Sequence, residues 1–314
     1  MSKNVAVAGP GGLGRHVVDA LLESKEFKVT VLSRSAKPEL EAKGATVKVV
    51  DYRYPSQLIT ALEGVDTLLS FIVDFDEAKG GPSLGALAHR NLLAAAVSPR
   101  VGLKRFVPAE YANDAAVRSV LSCERDKPHL RAYVKEFCPA RGIEYTLVSN
   151  GVLMDFFQPR GDRNGFPSDG DMVPVDAKSK TALIAGDRAD KISFTAARDV
   201  ARCVVALLTV EAGGWDEYSY VSGDRLTWDE VADRLEGALG SKLQRTYAGL
   251  EELRVQAEQA RKAGEFAPTM AAELREVFGD GSEVLPENSR YFEGVKFQKL
   301  DDVFQECYGK GARK

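Results

Sequence analysis

The chain has 314 residues, 44% hydrophobic and 28% charged, and its 42 basic and 46 acidic side chains give a formal net charge of −4. This composition is that of a globular protein and excludes disordered and collagen-like chains; at about 150 residues per domain, the length suggests one large domain or two lobes. With no basic block, a nucleic-acid partner is not expected. The longest apolar stretch, Cys203 to Val210, spans eight residues with Thr209 among them, well short of the roughly 18 that a membrane helix needs. The N-terminus leads straight into Val5–Ala8 without a signal-peptide pattern, so a cytoplasmic location is expected. Four cysteines (Cys123, Cys138, Cys203, Cys307) and three histidines show no metal-type spacing, so reduced thiols and no metal centre are expected.

Strand and helix signals alternate through the first half of the chain. Val5–Ala8 is followed by a glycine-rich loop and an apolar-periodic stretch from His16 to Leu22. Further β-rich runs are Lys28–Ser33, Thr46–Val50, Asp66–Val73, Arg105–Pro108 and Tyr145–Ser149, with helical segments at Leu84–Val97 and around Leu130–Phe137. This alternation predicts an α/β fold, a Rossmann-like doubly wound parallel sheet. After Asn150, residues 158–176 read as a long loop, and a helix returns over Asp199–Val210. Thr227 and Glu230 form a capping box that opens a helix to about Leu239, and Leu250–Lys262 and Thr269–Phe278 are amphipathic helices. The expected layout is a dinucleotide-binding domain over residues 1–150, with 183–210 returning to it. Residues 151–182 and 211–314 would form a smaller, mostly helical substrate-binding lobe.

The segment Gly9-Pro10-Gly11-Gly12-Leu13-Gly14 follows a strand and opens a helix. Glycines in that context allow a tight turn and close backbone approach, so the helix N-terminus can hold a pyrophosphate. At the end of the second strand, where NAD binders usually place an acid, stand Ser33, Arg34 and Ser35, with Lys37 close behind. A guanidinium suits a ribose 2′-phosphate, so NADP(H) is the expected cofactor; the alternative for Arg34 is a solvated surface arginine.

These residues, with Gly64-Val65-Asp66, the run Lys104 to Tyr111, Gly142 to Thr146, Asn150-Gly151 and Ile192 to Asp199, resemble the NmrA-like and isoflavone-reductase-like branch of the atypical short-chain dehydrogenases, fungal members in particular. Two departures stand out. The loop reads GxGxxG where the family usually has GxxGxxG. Pro108-Ala109-Glu110-Tyr111 replaces the usual PSEF-like segment and lacks its serine. The Tyr-x-x-x-Lys pair of short-chain dehydrogenases is absent, since none of the ten tyrosines has a lysine four residues on.

The resemblance implies a catalytic lysine on the helix after the fifth strand, and Lys127 matches it by position. His129 is a second candidate for proton transfer, the alternative being an ordinary loop histidine. Tyr111 and Asn150 are expected at the nicotinamide end of the cofactor, Tyr111 as a further catalytic candidate. Met154, Phe156 and Phe157 are expected to wall the substrate, or else to be plain core, and Trp228 is a further pocket candidate. The function implied is an NADPH-dependent oxidoreductase for an apolar cyclic or conjugated small molecule, of alkaloid or polyketide type, in secondary metabolism. Its chemistry extends to redox-assisted ring closure. The alternative is a non-catalytic NADP(H) sensor that binds a protein partner. A small-molecule substrate, no membrane or nucleic-acid partner, and a monomer or homodimer complete the expectation.

Overall fold

The computed structural model describes residues 3–72, 84–116, 121, 127–159 and 173–309. The chain divides into two compact units, the first comprising Met1–Tyr111, Asp126–Val148 and Ala201–Ser219, the second Ala112–Arg125, Ser149–Val200 and Tyr220–Lys314. The return to the first unit thus begins at Ala201, later than the sequence suggests, and the second unit takes over directly after Tyr111.

The first unit is built on six strands: β1 (Lys3–Ala8), β2 (Phe27–Ser33), β3 (Thr46–Val49), β4 (Thr67–Ser70), β5 (Arg105–Val107) and β6 (Glu144–Tyr145). They lie in the order β3-β2-β1-β4-β5-β6, and every pair is parallel. Helices α1 (Gly12–Ser24), α2 (Pro38–Glu41), α3 (Pro55–Leu62), α4 (Leu84–Ala96) and α5 (Lys127–Ala140) connect them. Because helices cover the sheet, its central strands are apolar on both faces, and Val5, Ala6, Val7 and Ala8 are all buried. Ala6, Ala8 and Leu32 pack with Leu58, Leu62, Leu92, Leu130 and Val134 in one cluster. The strand order reverses beside β1, and in such sheets ligands bind at the carboxyl ends of the strands at that point.

The sixth strand is shorter than the sequence suggests. Past Tyr145 the chain changes partners: Leu147 N donates to Glu217 O at 2.8 Å, and Leu147–Ser149 (β7) pairs with a strand at Tyr218–Tyr220.

The second unit contains the expected helices and also two three-stranded sheets that the sequence did not signal. Val152–Leu153 (β8) pairs with Lys191–Thr195 (β11), which pairs with Asp224–Thr227 (β13). Val175–Asp176 (β9), Thr181–Ala185 (β10) and Gln244–Ala248 (β14) form the other sheet. Helix α6 (Ala197–Thr209) follows β11, and α7 (Trp228–Leu239) starts at the predicted capping box, with Glu230 N donating to Thr227 Oγ1 at 3.2 Å and Thr227 N to Glu230 Oε2 at 2.8 Å. Helices α8 (Leu250–Ala263), α9 (Phe266–Gly279) and α10 (Leu300–Tyr308) complete this unit. The predicted loop at 158–176 lies largely outside the described residues, as does Cys123. Among the described residues no helix is long and apolar enough to cross a membrane.

Candidate active site

The glycine loop joins β1 to α1 at the carboxyl edge of the sheet. Gly9 has φ +84°, and a Cβ there would stand 2.8 Å from the backbone carbonyl of Phe71. A Cβ on Gly14 would lie 2.1 Å from Gly9 O, so both positions need glycine for packing alone. Gly11 is different: its φ of −97° suits any residue, and a Cβ there would meet nothing within 4 Å. Gly11 therefore borders open space at the N-cap of α1. That helix end has no side-chain cap and no acidic residue in its first turn. The first N–H groups of a helix lack intrahelical acceptors and carry the positive end of its dipole. Open space in front of such donors fits a pyrophosphate. Of the predicted loop residues, Gly11 and Gly12 stand at this helix end, whereas the Leu13 side chain is buried and contributes packing.

Arg34 follows the last residue of β2 and is exposed, and among the described residues it makes no ion pair. Lys37, half-buried, caps the N-terminus of α2. Tyr52, just past β3, is missed by the sequence reading. Its hydroxyl donates to Leu32 O at 2.9 Å, the carbonyl that also accepts from Gly9 N at 3.5 Å. Burial pushes its pKa above the ordinary phenol value, against the opposing effects of the Gly9 N–H and the nearby Arg34 charge. Leu32 O thus ties both Tyr52 and the glycine loop to the end of β2.

Past β4 and β5, Phe71 and Tyr111 stack with centroids 4.5 Å apart and planes 20° from parallel. The Tyr111 hydroxyl is buried and has no hydrogen-bond partner among the described residues. Burial raises its pKa, so it is a neutral O–H donor at physiological pH. A buried donor left unpaired costs about 1–3 kcal/mol, so such a group calls for an explanation, and a bound ligand is one.

Lys127 is the first residue of α5 and is half-buried; Leu130, Val134 and Cys138 form the buried stripe of that helix. Burial pushes the Cys138 thiol up to about 12, so it is an inert core group. Arg131, one turn beyond Lys127, pairs with the fully buried Glu110 at 2.8 Å. His129 is exposed, as a solvated histidine would be.

In the second unit, Ala112 has φ +143°, a conformation rare for a residue with a side chain. Its carbonyl accepts from Asn150 N at 3.0 Å and Gly151 N at 2.7 Å. Asn150 is buried, its Nδ2 donates to Gly151 O at 2.9 Å, and its Oδ1 has no hydrogen-bond partner among the described residues.

The predicted apolar wall divides. Met154 is wholly buried, and Phe157 packs edge-on against Phe304 at 5.3 Å, so these two belong to the core of the second unit. Trp228 is also core, set edge-on to Phe194 and Phe278. Their apolar character reflects packing, which a short hydrophobic run in sequence does not distinguish from a pocket wall. Phe156 alone of the wall is half-buried, and with Phe157, Val175, Asp176, Leu235 and Tyr308 it borders a small, partly open surface depression.

Residues 1–284 match the NmrA-like family. The chain is 33% identical over 235 residues to the oxidoreductase swnR of Metarhizium robertsii, a stretch covering 72% of this chain and 71% of that one. In fold it is similar to leucoanthocyanidin reductase of Vitis vinifera in its binary complex with NADPH (TM-score 0.72, 20% identity, covering 97% and 99% of the two chains). It is similar also to AtPrR2 with NADP+ and (+)-pinoresinol (TM-score 0.73, 19% identity, 97% and 98%). The protein belongs to the NmrA-like family and is an oxidoreductase.

Proposed function

We propose that this oxidoreductase uses NADPH to reduce an apolar, cyclic or conjugated small molecule of secondary metabolism. The observation that carries the cofactor choice is Arg34, an exposed guanidinium at the end of β2 with no carboxylate partner among the described residues. A 2′-phosphate would give it the bidentate partner it lacks, whereas a 2′-hydroxyl would not. The binary NADPH complex of leucoanthocyanidin reductase and the NADP+ complex of AtPrR2 support the same choice.

The residues divide the work as follows. Gly11 and Gly12, with the uncapped N-terminus of α1, hold the pyrophosphate, and Arg34 with Lys37 holds the 2′-phosphate. Tyr111 donates a hydrogen bond from its buried hydroxyl to a bound ligand, and Asn150 offers its buried Oδ1 as an acceptor. Lys127 donates the proton that the reduced product requires. Phe156, the half-buried residue of the predicted wall, offers an apolar ring in the second unit, and His129 stays in solvent. The chemistry that the bound dinucleotide supplies is hydride transfer. Reduction coupled to ring closure is within reach of the same hydride: a cyclic iminium ion takes up hydride with no further proton, whereas a conjugated carbonyl also needs the proton from Lys127.

The test is label transfer. The protein is incubated with NADPH deuterated at C4 and a panel of aryl ketones, cyclic enones and cyclic iminium ions, and products are read by mass spectrometry. A product one mass unit heavier than its unlabelled counterpart, formed from one C4 epimer only, is expected. Binding of NADPH without label transfer to any of the three classes would overturn the substrate reading.

A further inference from the structure

The pair formed by Glu110 and Arg131 has no role in the reading above, yet it is placed where it bears on it. Glu110 is 1% exposed, and its Oε2 accepts from Arg131 Nε at 2.8 Å. Glu110 directly precedes Tyr111, and its own N–H donates to Pro108 O at 2.9 Å. Arg131 lies four residues beyond Lys127, so the two share one face of α5, about 6 Å apart along its axis. A buried ion pair contributes little more to stability than a well-packed apolar pair of the same size. Helix α5 does not depend on it for attachment, since Leu130, Val134 and Cys138 already anchor it in the core. Those apolar contacts are not directional, and the ion pair adds a tie of defined geometry between the first turns of α5 and the segment after β5. Such a charge-assisted hydrogen bond is directional as well as strong.

We propose that Glu110 and Arg131 are positioning residues, which lock the first turns of α5 to the segment after β5 and so fix Lys127 for its task. The inference rests on the reading of Lys127 as the proton donor. Supporting residues of this kind hold a functional group to within about 0.5 Å, and their loss leaves a site that is present but loose.

The experiment needs no substrate. Lys127 is labelled with trinitrobenzenesulfonate, with and without saturating NADPH, and the rate is followed by peptide mass spectrometry. The proteins compared are the wild type, Glu110→Gln, which keeps the shape and an acceptor oxygen, and Arg131→Lys, which keeps the charge but loses the fork. In the wild type, NADPH is expected to slow labelling at least about fivefold; in both variants that protection should fall below about twofold, with NADPH affinity kept within about twofold and the melting temperature little changed. Wild-type Lys127 that NADPH fails to protect would overturn the placement of the lysine, and this inference with it. Protection in the wild type that both variants retain would leave Lys127 standing and overturn the positioning role. Variants that do not fold, or that lose protection, NADPH affinity and melting temperature together, would show a merely structural pair and overturn it too.

Discussion

Phe71 touches the glycine loop and Tyr111 at once. Its ring stacks on Tyr111 at 4.5 Å, while its backbone carbonyl stands 2.8 Å from where a Cβ on Gly9 would be. The glycine loop after β1 and the aromatic group after β5 are therefore braced against one residue at the end of β4. This makes Tyr111 a rigid part of the site, and its unpartnered hydroxyl a fixed donor. Tyr111→Phe removes a buried group that is unsatisfied in the free protein, so the melting temperature should stay level or rise. Binding of NADPH should weaken by about 0.5–1.5 kcal/mol, roughly three- to tenfold in Kd. Thermal melts and a fluorescence titration check both; a lowered melting temperature with unchanged affinity would make the hydroxyl structural.

Two glycines of one loop should respond in opposite ways. Gly14→Ala forces a Cβ to within 2.1 Å of Gly9 O, so the loop must shift and both stability and dinucleotide binding should be lost. Gly11→Ala meets nothing within 4 Å and has a tolerant φ. Its melting temperature should match the wild type, while NADPH binding weakens at least about tenfold, because the methyl group enters the space that the phosphate needs. Equal behaviour of the two variants would contradict this division.

The lysine prediction concerns rate. On a substrate found by label transfer, Lys127→Ala should lower turnover by about 10² to 10⁴, the usual effect of removing a proton donor. NADPH affinity should be nearly intact, because the proposed phosphate contacts lie at Gly11, Gly12 and Arg34. Lys127→Arg should rescue poorly, since a guanidinium does not give up its proton. Near-normal turnover in Lys127→Ala would remove the lysine from the mechanism.

How much of this was legible in the sequence depended on how local the cause was. The first five strands and α1 follow from apolar period and the glycine loop, and the Thr227 capping box is contained within four residues. The exchange of partners after Tyr145 depends on a strand more than seventy residues away and leaves no local mark. The two small sheets include strands of only two residues, Val152–Leu153 and Val175–Asp176, too short to show a period. Tyr52 and Phe71 became site residues because parallel strands end side by side, which brings Gly9, Leu32, Tyr52 and Phe71 together from separate parts of the chain. Met154 and Phe157 are apolar for the core's sake, and hydrophobicity alone does not separate a packed wall from a binding wall.

Acid stability has a nameable contributor in the second unit. Burial pushes the Glu236 carboxyl up, but Lys242 at 2.6 Å, the N–H of Leu243 at 3.1 Å and Arg245 outweigh that and bring it down to about 2. A carboxylate with a folded-state pKa below its ordinary 4.5 stabilises the fold above that value. The contribution is lost as pH falls from there through about 2. Glu236→Gln should thus lower the melting temperature at pH 7, and the gap to the wild type should close as the pH is lowered toward 2. Calorimetry across that range checks it; a gap that is constant with pH would contradict the charge-based explanation.

The central claim is that Arg34 reads a 2′-phosphate in an NADPH-dependent enzyme. The most direct measurement is a fluorescence titration of the wild type and Arg34→Asp with NADPH and with NADH. Wild-type protein should prefer NADPH by at least about 1.4 kcal/mol, a factor of ten, and Arg34→Asp should lose that preference. Its melting temperature should not change, because Arg34 is exposed. Wild-type protein that binds NADH as tightly as NADPH, or an Arg34→Asp variant that keeps the preference, would contradict the account.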